Sequence, residues 1–101
     1  MTHGFEQEAL TEYREAAEYY AQQRGGLGKV FVEAVQASLQ EIGRGPSRYQ
    51  ALENGLRICR MKRFPYSIYF RYSEERDHAT VFAVMHTRRR PGYWRHRLKD
   101  E

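Results

Sequence analysis

The spacing of apolar residues changes from a helical period to a strand period near the middle of the chain. Apolar side chains follow one helix face in residues 6–24 and again in residues 31–42. Gly25-Gly26 separates these segments, and Gly43 followed by Gly45-Pro46 is expected to end the second one. The apolar positions are Ala9, Leu10, Tyr13, Ala16, Ala17 and Tyr20, then Phe31, Ala34, Val35, Ser38, Leu39 and Ile42. The opposite side of the first helix carries Glu12, Arg14, Glu15 and Glu18. We therefore predict a helical hairpin with one shared apolar face.

The second half of the chain has the composition and alternation of β-strands. The predicted strands are Leu56–Met61, Tyr66–Tyr72 and Ala79–His86. Pro65 and the polar segment 73–77 separate them, and such short connections predict an antiparallel meander. The third strand is apolar at nearly every position, so we expect it to be covered on both faces. A helical hairpin on one face of a small antiparallel sheet gives an α+β fold, with residues 1–101 as one domain.

Positive charge is concentrated in the second half of the chain. Residues 1–50 contain five basic and seven acidic residues, a net charge of −2, whereas residues 51–101 contain twelve and six, a net charge of +6. Arginines outnumber lysines fourteen to three, and the planar arginine fork grips phosphate or carboxylate with two bonds. A codon bias would raise arginine content everywhere but would not cluster it. The clustering indicates an anionic partner, either nucleic acid or an acidic protein segment.

Two basic clusters are candidate partner-binding sites. One lies on or beside the first predicted strand and the other follows the third, with aromatic residues between and around them. Arginines and aromatic rings together bind phosphates and stack on bases, or anchor an acidic amphipathic peptide. A third interpretation is a solvated basic surface with a packed Tyr-Trp tail. The candidate binding residues are Arg57, Arg60, Lys62, Arg63, Arg88, Arg89, Arg90, Trp94 and Arg97.

The sequence also contains the chemical groups that a site for RNA cleavage requires. Cleavage of RNA by its own 2′-hydroxyl needs a proton acceptor, a proton donor and positive charge at the phosphate. His86 can act as the base or the acid, Tyr93 can act as a donor, and Arg88 to Arg90, with Arg89 among them, can supply the positive charge. The alternative is that His86 is a hydrogen-bonded structural residue at a strand end.

Several other kinds of site are not expected. One cysteine and four scattered histidines show no metal-ligand spacing, and nothing in the sequence indicates a cofactor. The longest uncharged stretch, residues 79–87, is far shorter than the roughly 20 residues of a membrane span. The single Cys59 excludes an intramolecular disulfide and fits a reducing cytoplasm. The first residues lack the features of a signal peptide.

Three sets of residues together resemble a known family. They are Tyr19-Tyr20 with Gly26-Leu27-Gly28 and Phe31; Arg57 with Lys62 to Phe70; and Ala83 to His86 with Arg89, Pro91, Tyr93-Trp94 and Arg97. Their order and spacing, over roughly residues 5–97, resemble the RelE/ParE superfamily of toxins from type II toxin–antitoxin modules. The last set resembles the tail of the ParE-like branch.

The resemblance implies a cytoplasmic, plasmid-stabilisation-type toxin that inhibits growth and is neutralised by a cognate antitoxin. An acidic antitoxin segment would wrap the helical hairpin and the basic sheet face, giving a toxin–antitoxin hetero-oligomer without membrane contact. RelE-like members cut mRNA on the ribosome, whereas ParE-like members inhibit DNA gyrase.

The ribonuclease pattern is incomplete in this chain. Tyr93 matches its C-terminal tyrosine, but Ser67 and Thr87 stand where the resemblance leads us to expect arginines. The adjacent Arg88 and Arg89 could compensate for Thr87, and Arg60 and Lys62 could supply charge that binds the substrate. We therefore expect ParE-like gyrase inhibition, with a RelE-like mRNA endonuclease as the alternative. A relic that retains only antitoxin binding is a third possibility.

The start of the chain also departs from the superfamily, which begins with a β-strand. Only about four residues precede the first predicted helix, so we expect this strand to be short or missing. An uncovered sheet edge would be a natural place for an antitoxin segment to add.

Overall fold

The computed structural model describes residues 1–89 and 97. Within them, two helices and five strands follow one another in the order β1 (Thr2–Phe5), α1 (Gln7–Gln23), α2 (Leu27–Arg44), β2 (Gln50–Ala51), β3 (Arg57–Arg60), β4 (Tyr66–Ser73) and β5 (His78–His86). The predicted site residues Arg90, Tyr93 and Trp94 lie outside the described residues. None of the described helices has the length and apolar character that crossing a membrane requires.

The strands form one sheet in the order β1-β5-β4-β3-β2. The α+β class and the helical hairpin are confirmed, but the sheet is mixed rather than wholly antiparallel. Strands β2 to β5 are antiparallel neighbours, whereas β1 runs parallel to β5, with Thr2 opposite His78 and Phe5 opposite Val81. The first strand is therefore present and short. The antiparallel prediction rested on short connections, and β1 reaches its partner only after the chain has passed through both helices.

The shared apolar face of the hairpin packs on one face of the sheet around Phe31, which is fully buried. Four rings contact it, with centroids at 5.2 Å for Tyr20, 5.1 Å for Phe64, 5.2 Å for Tyr66 and 6.3 Å for Tyr13. Each such aromatic pair contributes about 0.5–1.5 kcal/mol beyond its buried area. This cluster fixes the turn between β3 and β4 against the helices.

The end of α2 differs from the prediction by one residue. Gly43 lies inside the helix, which continues to Arg44. A single glycine in a last turn costs only about 1 kcal/mol, and Pro46, which begins the next short turn, is the stronger stop. At the other glycine turn, Gly26 has φ 82° immediately before α2, the left-handed conformation that glycine adopts without strain.

A β-bulge in β5 makes both of its faces apolar. Tyr69 pairs with Ala83 and Phe70 pairs with Val81, so Phe82 is an extra residue. The bulge places Phe82 and Ala83 together on the face away from the helices, in a second buried cluster with Leu56, Met85, Leu52 and Tyr69. The expectation that β5 is covered on both faces is confirmed.

The helical hairpin depends on a close approach at Gly28. A Cβ at this position would lie 2.7 Å from the carbonyl oxygen of Ala17 and 2.9 Å from the Cβ of Ala21. We expect Gly28→Ala to lower the free energy of unfolding by about 1–3 kcal/mol, because the two helices must move apart. Gly25→Ala is the matched control, since a Cβ there meets nothing within 4 Å, and it should change stability by less than about 0.5 kcal/mol. Urea unfolding measures both; equal effects of the two variants would refute the close approach.

Candidate binding surface at one end of the sheet

Strand register brings two separate basic segments to the same end of the sheet. Ser67 at the start of β4 pairs with Arg60 at the end of β3 and with Met85 near the end of β5. Beyond these pairs, the Thr87 N–H donates to the carbonyl oxygen of Pro65 at 2.8 Å. The turn after β3 and the segment after β5 therefore leave the sheet side by side. We name the exposed cations there the basic end: Arg60, Lys62, Arg63, Arg88 and Arg89.

Four charges of the basic end, those of Arg60, Lys62, Arg63 and Arg88, are only weakly compensated within the described part of the chain. There, Arg60 donates to the side-chain oxygen of Gln50 at 3.1 Å, and no ion pair joins Arg60, Lys62, Arg63 or Arg88 to a carboxylate. Like charges held near one another raise the local positive potential, which attracts an anionic partner and speeds its association.

Arg57 is placed differently, although it was predicted with the same cluster. It starts β3, at the end of that strand away from Arg60. Its Nη1 donates to the carbonyl oxygens of Tyr49 at 2.7 Å and Ser47 at 3.4 Å. We therefore assign Arg57 to holding the loop after α2 and leave it out of the basic end.

Arg97 is bound inside the protein by Glu12 of α1. Its Nη1 and Nη2 donate to the two Glu12 carboxylate oxygens at 3.0 and 2.8 Å, and Nη1 also donates to the carbonyl oxygen of Phe82 at 2.9 Å. Its Nε lies 3.1 Å from a Glu8 oxygen. The Arg97 side chain is only 7% exposed, so we assign it to the fold as well.

The Glu12–Arg97 pair provides hydrogen-bond partners for backbone groups at one edge of the sheet. Strand β1 ends opposite Val81, so none of the strands in residues 1–89 pairs with the later residues of β5 on that side. The Val84 N–H donates to a Glu12 oxygen at 3.0 Å, and Arg97 donates to the Phe82 carbonyl oxygen. The helical period of the sequence places Glu12 on the polar side of α1. It does not predict that Glu12 binds the sheet edge, because the period does not show where the short β1 ends. The only signal was that Glu8 and Glu12 are four residues apart and so face the same way.

His86 lies in a groove of about 220 Å³ between α1 and the end of β5. Its Nδ1 accepts the Arg88 N–H at 3.0 Å, and its ring contacts Tyr66 at 5.2 Å between centroids. Burial raises the pKa of Tyr66, with Tyr20 and Tyr19 adding to the effect and Arg89 opposing it, so this hydroxyl stays protonated at neutral pH. The other residues lining the groove are Glu12, Glu15, Ala16, Tyr19, Val84, Met85 and Arg89. Of the predicted catalytic set, His86 and Arg89 are therefore together, and Tyr93 is outside the described residues.

A separate groove of about 340 Å³ lies between α2 and the turn after β3. Cys59 lines it and is buried among the core residues. Burial raises the pKa of the Cys59 thiol, while hydrogen bonds with Tyr49 and Ser38 act in the opposite direction. The thiol is therefore protonated and unreactive at neutral pH. In the part of the chain that the structure describes, no group of three or more His, Cys, Asp or Glu side chains could hold a metal ion.

The Glu12–Arg97 ion pair yields a direct test. Arg97→Met should destabilise the protein by about 1–3 kcal/mol, because Glu12, which is only 18% exposed, is left charged without its partner. Arg44→Met is the control: Arg44 pairs with Glu41 on the surface at 3.0 Å, with both side chains more than half exposed, and its loss should cost less than about 1 kcal/mol. Adding Glu12→Gln to Arg97→Met should recover part of the loss in chemical unfolding. Purely additive effects of the two changes would mean that the pair is not coupled.

The comparisons with known proteins agree with this geometry. The family model of the ParE toxin of the type II toxin–antitoxin system parDE matches residues 5–91. No curated protein matches the chain significantly. One similar solved structure is from the chromosomal ParDE toxin–antitoxin system of P. aeruginosa, with a TM-score of 0.58, 15% identity, and 85% of this chain and 95% of that chain covered. Another is from the toxin–antitoxin complex RelBE2 of Mycobacterium tuberculosis, with a TM-score of 0.60, 17% identity, and coverage of 84% and 95%. These structures share the fold, and because the family model spans most of the sequence, the chain belongs to the ParE toxin family of type II toxin–antitoxin systems.

Proposed function

We propose that this protein acts by binding DNA gyrase, and that a cognate antitoxin neutralises it by covering the basic end. Its membership in the ParE toxin family supports the first part. The similar structures come from toxin–antitoxin systems, which supports the second. Gyrase works in the cytoplasm, so the proposed function assigns the protein to that compartment.

The observation that carries the choice of gyrase is the environment of Ser67. The ribonuclease pattern needs an arginine at this position of β4, but Ser67 is 4% exposed and lies between its neighbours Arg60 and Met85 in the sheet. A buried hydroxyl supplies no positive charge to a phosphate in the transition state. Thr87, at the second position where the ribonuclease pattern has an arginine, is exposed and also uncharged. The two positions where the ribonuclease pattern has arginines are therefore neutral, and Arg88 and Arg89 lie beyond them in the segment after β5.

The groove beside His86 is also a poor phosphate site. Glu15 lines it together with Arg89, and a carboxylate opposes the approach of an anionic backbone. His86 already uses its Nδ1 to accept the Arg88 N–H, the structural role that the sequence left open. The mRNA endonuclease keeps one supporting observation, because His86, Tyr66 and Arg89 line the same groove and include a possible acid and base.

The basic end suits a protein target. Its arginines are exposed and project from two adjoining segments, so they can engage several carboxylates on one partner. If the same cations also hold the antitoxin, then toxin bound to antitoxin cannot use them on its target. Competition for one surface is then the means of neutralisation.

We expect purified, antitoxin-free protein to inhibit supercoiling by DNA gyrase at micromolar concentration. Arg88→Glu should weaken this inhibition by about tenfold, because it places a negative charge in the basic end. Arg76→Glu is the matched control: it makes the same change of charge at an exposed site in the loop between β4 and β5, at the opposite end of the sheet. It should leave inhibition unchanged.

A translating extract supplied with the same protein separates the two candidate activities. Gyrase inhibition predicts intact transcripts. New mRNA ends that disappear in His86→Ala, together with unaffected supercoiling, would replace the proposal with the endonuclease.

A further inference from the structure

The groove beside His86 has two flanks of opposite charge. On the α1 side, the exposed Glu15 lines the groove, and the exposed Glu18 follows on the same helix. On the β5 side, Arg89 lines the groove, and the exposed Arg88 directly precedes it in the chain. The groove therefore fits a partner that carries both signs of charge, arranged in the opposite order.

These charges are not compensated by ion pairs in the described part of the chain. Within residues 1–89 and 97, no ion pair joins Glu15, Glu18 or Arg88 to an opposite charge. Glu12, the other carboxylate in the groove, is bound in the ion pair described above. Arg14 lies about one turn before Glu18 on α1 and weakens its charge. Glu15 is therefore the main acidic group that the groove offers to a partner.

An exposed aromatic side chain lies at the same groove. Tyr19 is 55% exposed and, four residues after Glu15, lies on the same side of α1. The rings of Tyr66 and His86 also line the groove, with their centroids 5.2 Å apart. Tyrosine is favoured as an anchor of protein interfaces, because its ring buries a large apolar area and its hydroxyl can still form a hydrogen bond.

We propose that two copies of this chain associate through the groove beside His86, about a two-fold axis. Each Tyr19 packs against Tyr66 and His86 of the other copy, and each Glu15 binds Arg88 of the other copy. A two-fold rotation sets the acidic flank of one copy opposite the basic flank of the other, so one patch supplies both halves of the interface. This dimer is a property of the chain alone and goes beyond the proposed function.

The two signs of charge favour a second copy over other occupants. A nucleic acid or an acidic peptide would meet Glu15 and Glu18 along one flank, and a basic peptide would meet Arg88 and Arg89 along the other. Like charges placed opposite each other weaken an interface and exclude such partners. A second copy brings an acidic flank, a basic flank and an aromatic side chain between them, in the order that the groove requires.

The dimer also has a consequence for activity. It covers Arg88 and Arg89, which are two of the five cations of the basic end. Under the proposed function, a dimer cannot use these arginines on gyrase, so self-association reduces the inhibition produced by each molecule as the protein accumulates. This consequence rests on the proposed function, whereas the dimer itself does not.

Sedimentation velocity of the purified, antitoxin-free full chain over a series of concentrations tests the proposal. We expect a monomer–dimer equilibrium that shifts toward the monomer as salt is added, because exposed ion pairs are screened. Tyr19→Ala should weaken the dimer by about tenfold or more, because it removes the aromatic anchor. Tyr19→Phe is the matched control, since it keeps the ring, and it should leave the dimer largely intact.

Charge reversal identifies the contact between the two flanks. Glu15→Arg and Arg88→Glu should each weaken self-association, because each variant places like charges opposite one another. An equimolar mixture of the two variants should form a heterodimer, because both contacts then join opposite charges. Native mass spectrometry with one variant isotope-labelled detects it. Glu33→Arg on α2 and Arg76→Glu in the loop between β4 and β5 reverse exposed charges elsewhere, and both should dimerise as the parent does.

Several outcomes would overturn the inference. They are a monomer at every concentration, a dimer that persists unchanged in Glu15→Arg and Tyr19→Ala, and a mixture of Glu15→Arg with Arg88→Glu that stays monomeric. Assemblies that grow beyond two copies would contradict the two-fold axis. Circular dichroism establishes that each variant is folded. None of these measurements involves gyrase or an antitoxin, so their failure is distinguishable from failure of the supercoiling assay.

Discussion

The pairing of β4 with β5 is the constraint on which the rest of the structure depends. It runs from Tyr66 opposite His86 to Ser73 opposite His78, and it supports the aromatic cluster on one face and the second buried cluster on the other. Because β4 also pairs with β3, the same register fixes where the basic turn after β3 lies relative to the segment after β5. A shift by two residues would keep the apolar faces but separate the two halves of the basic end.

The bulge in β5 and the short β1 together create the second constraint, an edge with unpaired backbone groups. The protein satisfies this edge with the Glu12–Arg97 pair rather than with another strand. Side chains that cover an edge prevent pairing with other chains, so the stretch beside Phe82 and Val84 is a poor place for a partner strand to add. The expectation of antitoxin addition at an uncovered edge stays untested.

Arginines therefore have two separate roles in this chain. Arg57 binds backbone carbonyls, and Arg97 binds the Phe82 carbonyl and the partly buried carboxylate of Glu12. Arg71 binds the Asn54 carbonyl at 2.7 Å and lies over the Phe82 ring at 5.1 Å. The arginines of the basic end are exposed. Sequence clustering alone cannot distinguish these roles, because both kinds lie on or next to strands.

The periodic parts of the fold were predictable from the sequence. The alternation in Tyr66–Ser73 and the helical stripes are repeated signals, and each repeat reinforces the others. The features that were missed depend on single positions. The extra residue Phe82 lies in a run that is apolar throughout, and the partners of Glu12 are separated from it by more than 70 positions in the chain. Contacts of that kind are set by tertiary packing and leave no local pattern.

The candidate surface was predictable in part for the same reason. A dense run of arginines and lysines marks Arg60 to Arg63 and Arg88 to Arg89, but only the strand register shows that these runs adjoin. The groove between α2 and the turn after β3 was not predictable. Ala34 belongs to the apolar face of α2, and the helical period does not show that the sheet leaves this residue partly uncovered.

Nuclear Overhauser contacts at the end of the β4–β5 pair test whether this register brings the two basic segments together. We expect cross-peaks between the Thr87 amide proton and protons of Pro65 and Tyr66, and between the rings of Tyr66 and His86. If Thr87 instead contacts residues of β4 beyond Ile68, the register is different. The two basic segments would then not meet, and the surface proposed for both target and antitoxin would not exist.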